Sequence, residues 1–132
     1  MITEDYISFE TAKLLKEKGF EYNPDESYWL IDANNTLYWI SSIGAYDYVD
    51  VPTESFQRPK NGYRLVTQAM AMKWLRERGW FIHIDIIREA SAWLVDVQDI
   101  KNDVAIYPVG KEYSSYEEAA EAAINYCLKN LI

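Results

Sequence analysis

Trp80-Phe81-Ile82-His83-Ile84-Asp85-Ile86-Ile87 carries the strongest strand signal in the chain. Aromatic and β-branched residues fill it, and their alternation has period two. Trp80, Ile82, Ile84 and Ile86 point one way; Phe81, His83, Asp85 and Ile87 point the other. Such alternation predicts a sheet with one face covered and one face open. The covering element expected for Trp80, Ile82, Ile84 and Ile86 is the last helix, with Trp93 and Val95 beside them on the next strand.

On the N-terminal side of this strand, Thr67 is placed to cap a helix over 68–78 that stops at Gly79. Ala71, Trp74 and Leu75 form its apolar side. Ala92–Gln98 reads as a second strand with Trp93, Val95 and Val97 on one face. Val104–Val109 reads as a third, and Pro108 marks it as an edge or strand end. Tyr116–Leu131 is the last helix. Ser115 and Glu118 have the spacing of a capping box, in which side chains and backbone amides satisfy each other reciprocally. Ala120, Ala123, Ile124, Cys127, Leu128 and Leu131 form its apolar stripe.

The first half is smaller in its elements. Ser8–Lys18 has helical periodicity, a capping serine and a Gly19 stop. Tyr28–Ile31 and Thr36–Ile40 read as a hairpin around Asp32-Ala33-Asn34-Asn35, whose residue types tolerate turn geometry. A short strand is expected over Tyr46–Val51. Pro52–Gly62 holds two prolines and an Asn-Gly turn signal, so it reads as the connection between halves 1–60 and 61–132. The two halves are expected to pack as one unit. Lys13–Phe20 and Lys73–Trp80 echo each other at a 60-residue offset, with Lys, Leu, Glu and Gly repeated in register. A duplicated helix-to-sheet unit and two unrelated amphipathic helices with glycine stops both account for that echo. The fold class expected from all these elements is α+β, with helices mainly on one sheet face.

Composition narrows the functions. The chain has 132 residues, 49% apolar and 26% charged, which suits folded rather than disordered protein. Its net charge of −8 disfavours phosphate backbones and anionic membrane surfaces. No apolar run is long enough to span a bilayer, and Met1–Tyr6 has no apolar signal core. One cysteine makes no internal disulfide. A reducing cytoplasm is therefore the expected location. Neither a cofactor nor a metal is expected: no glycine-rich phosphate loop follows a strand, and one His with one Cys is too few for zinc. Cys127 falls on an apolar stripe, so it reads as core. His83 and Asp85 share a strand face and could form an acid–base pair.

The aromatics are the other concentration. Tyr28, Trp29, Tyr38, Trp39, Tyr46 and Tyr48 cluster in a half that has few aliphatic residues. Rings left near solvent supply large rigid contact area, so these six residues are a candidate interface for a protein partner or a second copy. The competing expectation is that they fill the small core.

Two resemblances add to these readings. The helix–strand–strand–strand–helix order of the second half, with Ser115-Tyr116-Glu117-Glu118-Ala119-Ala120, resembles the double-stranded-RNA-binding-domain fold. That family meets phosphate with lysines at the start of the last helix. Here the matching positions are Glu117 and Glu118, and the short Glu89-Ala90-Ser91 loop lacks the family's histidine. The resemblance thus implies a topology, and the acidic residues argue against RNA binding. The segments Ile7–Phe20, Val66–Glu77 and Ser115–Ala122 together resemble small uncharacterised proteins encoded by phages and prophages of gut bacteria. That resemblance implies a mobile-element accessory protein in a bacterial cytoplasm. The expected function is a noncatalytic interaction module, the alternative is an RNA-binding module, and the third reading is a small enzyme built on His83 and Asp85.

Overall fold

Capping and glycine stops delimit the helices as the sequence predicts. The structure, a computed structural model, describes residues 5–21, 28–40, 46–48, 62–103 and 106–132. The side chains of Tyr28, Trp39, Ile40, 46–48, Ile106 and Tyr107 lie outside that description. So do the expected strand residues 49–51, 104 and 105 and the connection from Pro52 to Asn61. The described elements form an α+β protein with two antiparallel sheets, and the chain divides into two compact units.

The first unit spans 8–66. Helix α1 (Phe9–Glu17) begins where the Ser8 hydroxyl accepts from the Thr11 N–H at 3.2 Å. It ends at Gly19, whose φ of 97° is left-handed backbone open to glycine without strain. Thr11, Ala12 and Leu15 are its buried side. Strands β1 (Tyr28–Ile31), β2 (Leu37–Ile40), β3 (Tyr46–Tyr48) and β4 (Tyr63–Leu65) lie in the order β3-β2-β1-β4. Helix α1 packs on β4, with the Phe9 and Tyr63 rings 5.5 Å apart. The division expected at 60/61 therefore moves to 66/67. Tyr63, Arg64 and Leu65 pair with Ile31, Leu30 and Trp29, so they complete the first sheet.

One side chain organises the β1–β2 turn. Asp32 Oδ1 accepts from the N–H groups of Asn34 and Thr36, both at 2.9 Å, while Oδ2 accepts from the Tyr38 hydroxyl at 3.1 Å. Asn35 completes the turn with φ 61°, a conformation that Asn tolerates. Thr36 closes the loop through its carbonyl to the Asp32 N–H, and β2 starts one residue later than expected.

The second unit joins the chain start to 67–132. Tyr6 bridges Thr67, and the Asp5 carbonyl accepts from the Gln68 N–H at 2.8 Å. Helix α2 (Gln68–Glu77) is capped by Thr67 and stopped at Gly79, φ 95°. Strand β5 (Trp80–Ile87) turns through a single 3-10 turn, Arg88–Ala90, into β6 (Ala92–Asp99), and β7 (Ile106–Pro108) pairs with β6. Helix α3 (Tyr116–Asn130) closes the unit. Its cap differs from the expected box in one respect. Ser115 accepts from the Glu118 N–H, but the Glu118 carboxylate reaches back to the N–H and hydroxyl of Ser114.

Helix α3 packs against β5 and β6, and α2 against β5 and α3. Ala119, Ala120 and Ala123 are fully buried, and small side chains permit that close approach. Val95 and Val97 are buried beside them, opposite Ile84 and Ile82. Ile86 departs from the expected pattern, remaining 42% exposed near the strand end. Pro108 suits β7 for a clear reason. The Val95 carbonyl accepts from the Val109 N–H, so by alternation the Asp96–Pro108 pair falls at a position that needs no amide proton.

Two outcomes test this account. Asp32→Ala leaves two turn amides and the Tyr38 hydroxyl without their acceptor, and should cost about 1–3 kcal/mol in denaturant titrations. Asp99 is held below its usual carboxylate range, first by the Asn102 side-chain amide at 2.6 Å and further by the Asn102 and Lys101 backbone amides. A lowered folded-state pKa stabilises above the unfolded value of 3.8 and is lost as pH falls through the folded one. Asp99→Asn should therefore be less stable than wild type at neutral pH, and the two melting temperatures should converge below pH 3.8.

Candidate functional site

The expected aromatic interface is only partly described. Trp29 is half-buried, and its backbone lies opposite Trp39 on one side and Leu65 on the other. Tyr38 is buried and bonded to Asp32, so its ring belongs to the core rather than to a contact surface. The side chains of Tyr28, Trp39, Tyr46 and Tyr48 lie outside the described residues.

A second surface emerges in the other unit, from residues the sequence had placed on the open sheet face. Phe81, His83 and Asp85 of β5 stand opposite Gln98, Asp96 and Leu94 of β6. Phe81 is 37% and Leu94 38% exposed, large apolar groups on the face away from the helices. A shallow depression of about 210 Å³ lies there, lined by His83, Asp85, Leu94, Asp96, Pro108 and Lys111 among others. Asp96 and Lys111 had not been singled out in the sequence. Asp96 was legible in principle, because pairing Trp80 with Asp99 sets it across from His83.

The close contact that forms at this face joins His83 Nδ1 to Asp96 Oδ1 at 3.5 Å, rather than pairing His83 with Asp85. That distance is long for a hydrogen bond. Asp85 is otherwise engaged: its Oδ1 accepts from the Ile86 N–H at 3.0 Å. Among the described residues that line the depression, none carries a hydroxyl or thiol. Cys127 sits fully buried in α3, where loss of water pushes its thiol up to about 12. Among the described residues no group of three or more His, Cys, Asp or Glu could hold a metal.

The edge of the sheet is as informative as its face. Strand order β5-β6-β7 leaves β5 paired on one side along all eight residues, with no strand on its other side among the described residues. The pairing of β6 fixes which backbone groups point outward. Trp93 exchanges both backbone bonds with Tyr113, and the Val95 carbonyl is taken by Val109. Both residues thus turn away from β5, so their partners Ile86 and Ile84 direct their own N–H and C=O groups to the free edge. Alternation adds Ile82 to this outward set.

The chain matches no protein-family model, no curated protein and no solved structure.

The start of α3 presents exposed Glu117 and Glu118, with the Glu118 carboxylate held on Ser114. Negative charge there favours the helix dipole and opposes phosphate. Wild type should give no shift with duplex RNA in a gel titration at physiological salt. Glu117→Lys with Glu118→Lys should introduce salt-sensitive binding if this helix start can meet an A-form backbone. A tight wild-type shift would overturn the assignment of these residues as repulsive.

Proposed function

We propose that this chain is a noncatalytic protein-interaction module, an accessory of a phage or prophage acting in the cytoplasm of a bacterial host. Its contact surface is the open face and free edge of the second sheet. One observation carries the reading: β5 is eight residues long, is paired on one side only among the described residues, and leaves Phe81 exposed on the open face and Ile86 exposed near the strand end, with Leu94 exposed on the open face of β6. Long edge strands with exposed apolar side chains are ready templates for another chain, because main-chain hydrogen bonds supply affinity and alternate side chains supply specificity. This reading takes the contact to lie in the second unit, apart from the aromatics Tyr28, Trp29, Tyr38, Trp39, Tyr46 and Tyr48 of the first.

Site-specific photocrosslinking tests the surface directly. A photoreactive phenylalanine at position 81 or 94 should yield a discrete protein adduct in an extract of the producing cells, whether with another protein or with a second copy. The same group at exposed Lys129, on α3, should not. Adducts of equal yield from positions 81 and 129, or none from 81 and 94, would sink the reading.

A further inference from the structure

We infer that the occupant of the β5 edge is a second copy of this chain, paired antiparallel about a two-fold axis at Ile84. The inference rests on the interaction surface proposed above and names what fills it. Three independent features converge on this register.

The first is backbone direction. Ile82, Ile84 and Ile86 turn their N–H and C=O groups outward, on the argument from Trp93 and Val95. Antiparallel strands exchange bonds only between residues that both point at the partner. Centring the axis on Ile84 sets Ile84 opposite its own copy and Ile82 opposite the second copy's Ile86. Each of these is an outward-pointing pair, so the ladder closes without a slip.

The second is charge. In this register His83 faces the Asp85 of the second copy, and by symmetry the contact occurs twice. Moving the axis to Asp85 would set Asp85 against its own copy, which like-charge repulsion disfavours. Moving it to His83 would set His83 against its own copy and leave Asp85 facing Phe81. Only the Ile84 register sets each Asp85 carboxylate against an imidazole on the open face. His83 then lies between Asp96 of its own chain, 3.5 Å away, and the carboxylate from the second copy.

The third is exposure. Phe81 and Ile86 stand 37% and 42% exposed in the single chain. The Ile84 register gives Phe81 the second copy's Ile87 as neighbour and gives Ile86 the second copy's Ile82. Two three-stranded sheets become one of six strands, and the helices of both copies stay on the same side. A net charge of −8 on each copy opposes association, so the dimer should be concentration-dependent. The Ile86 N–H, held by Asp85 Oδ1 in the single chain, passes to the Ile82 carbonyl of the second copy, freeing Asp85 for His83.

Sedimentation equilibrium on the full chain tests this, because a dimer has twice the 15.5 kDa of one copy. Wild type should approach the dimer mass as concentration rises. Ile84→Pro removes an N–H that bonds to nothing in β6, so it should keep the fold by circular dichroism and stay monomeric. Asp85→Lys removes the carboxylate that meets the His83 imidazole across the axis and should weaken the dimer about tenfold. Asp85→Glu should retain it, and this surface variant covers the case in which the proline variant fails to fold. A monomeric wild type at the highest soluble concentration would overturn the inference. So would a dimer that survives both Ile84→Pro and Asp85→Lys. A monomer whose position 81 still crosslinks a different protein would refute the second copy while preserving the interaction surface; a monomer with no adduct would remove both.

Discussion

Eight consecutive antiparallel pairs between β5 and β6 set the parity of the second unit. Once Ile84 stands opposite Val95, every even residue of β5 belongs to the helix side and every odd one to the open side. A slip of one residue would bring His83 and Asp85 under α3 and expose the isoleucines, so burial itself enforces the register. The same parity settles the hydrogen bonding. Residues of β6 that bond toward Tyr113 and Val109 cannot also bond toward β5. Side-chain burial and the backbone groups left at the edge therefore have a single cause.

Much of this was legible in the sequence because its signals are local. Ser8, Thr67 and Ser115 cap the helices they were expected to cap, each bonding an amide three residues ahead. Gly19 and Gly79 end two helices in left-handed conformations, as their place after apolar periodicity indicated. The echo between Lys13–Phe20 and Lys73–Trp80 is thus an echo of helix ends. Beyond the two glycines the chain diverges, because Trp80 opens a long strand whereas Phe20 is a buried residue outside any strand.

Features that depend on pairing were harder to see. Strand β4 is only three residues long, too short for alternation to declare itself, and it exists because β1 offers it an edge. Tyr38 looked like one ring among several near solvent. Its ring is buried and its hydroxyl donates to the Asp32 carboxylate across the turn, and nothing in the spacing of aromatics encodes that bond. His83 was paired in the sequence with Asp85, its neighbour along the strand. The closer partner lies across the ladder at Asp96, and locating it requires the register of a strand that begins several residues later.

The bridge between Tyr6 and Thr67 has a consequence for how such a chain can be cut and joined. Residues 5–7 belong to the second unit, yet the chain departs at Ser8, builds an entire helix and sheet, and returns at Thr67. The bond from the Gln68 N–H to the Asp5 carbonyl holds departure and return side by side. The first unit is therefore an insertion into the second, and its two ends occupy neighbouring positions. Insertions with adjoining ends can be excised, exchanged or enlarged without rerouting the host backbone. Recombination acting on this gene could replace residues 8–66 wholesale, whereas a cut at the proline-rich stretch would sever β4 from its sheet and strand the first residues of the chain.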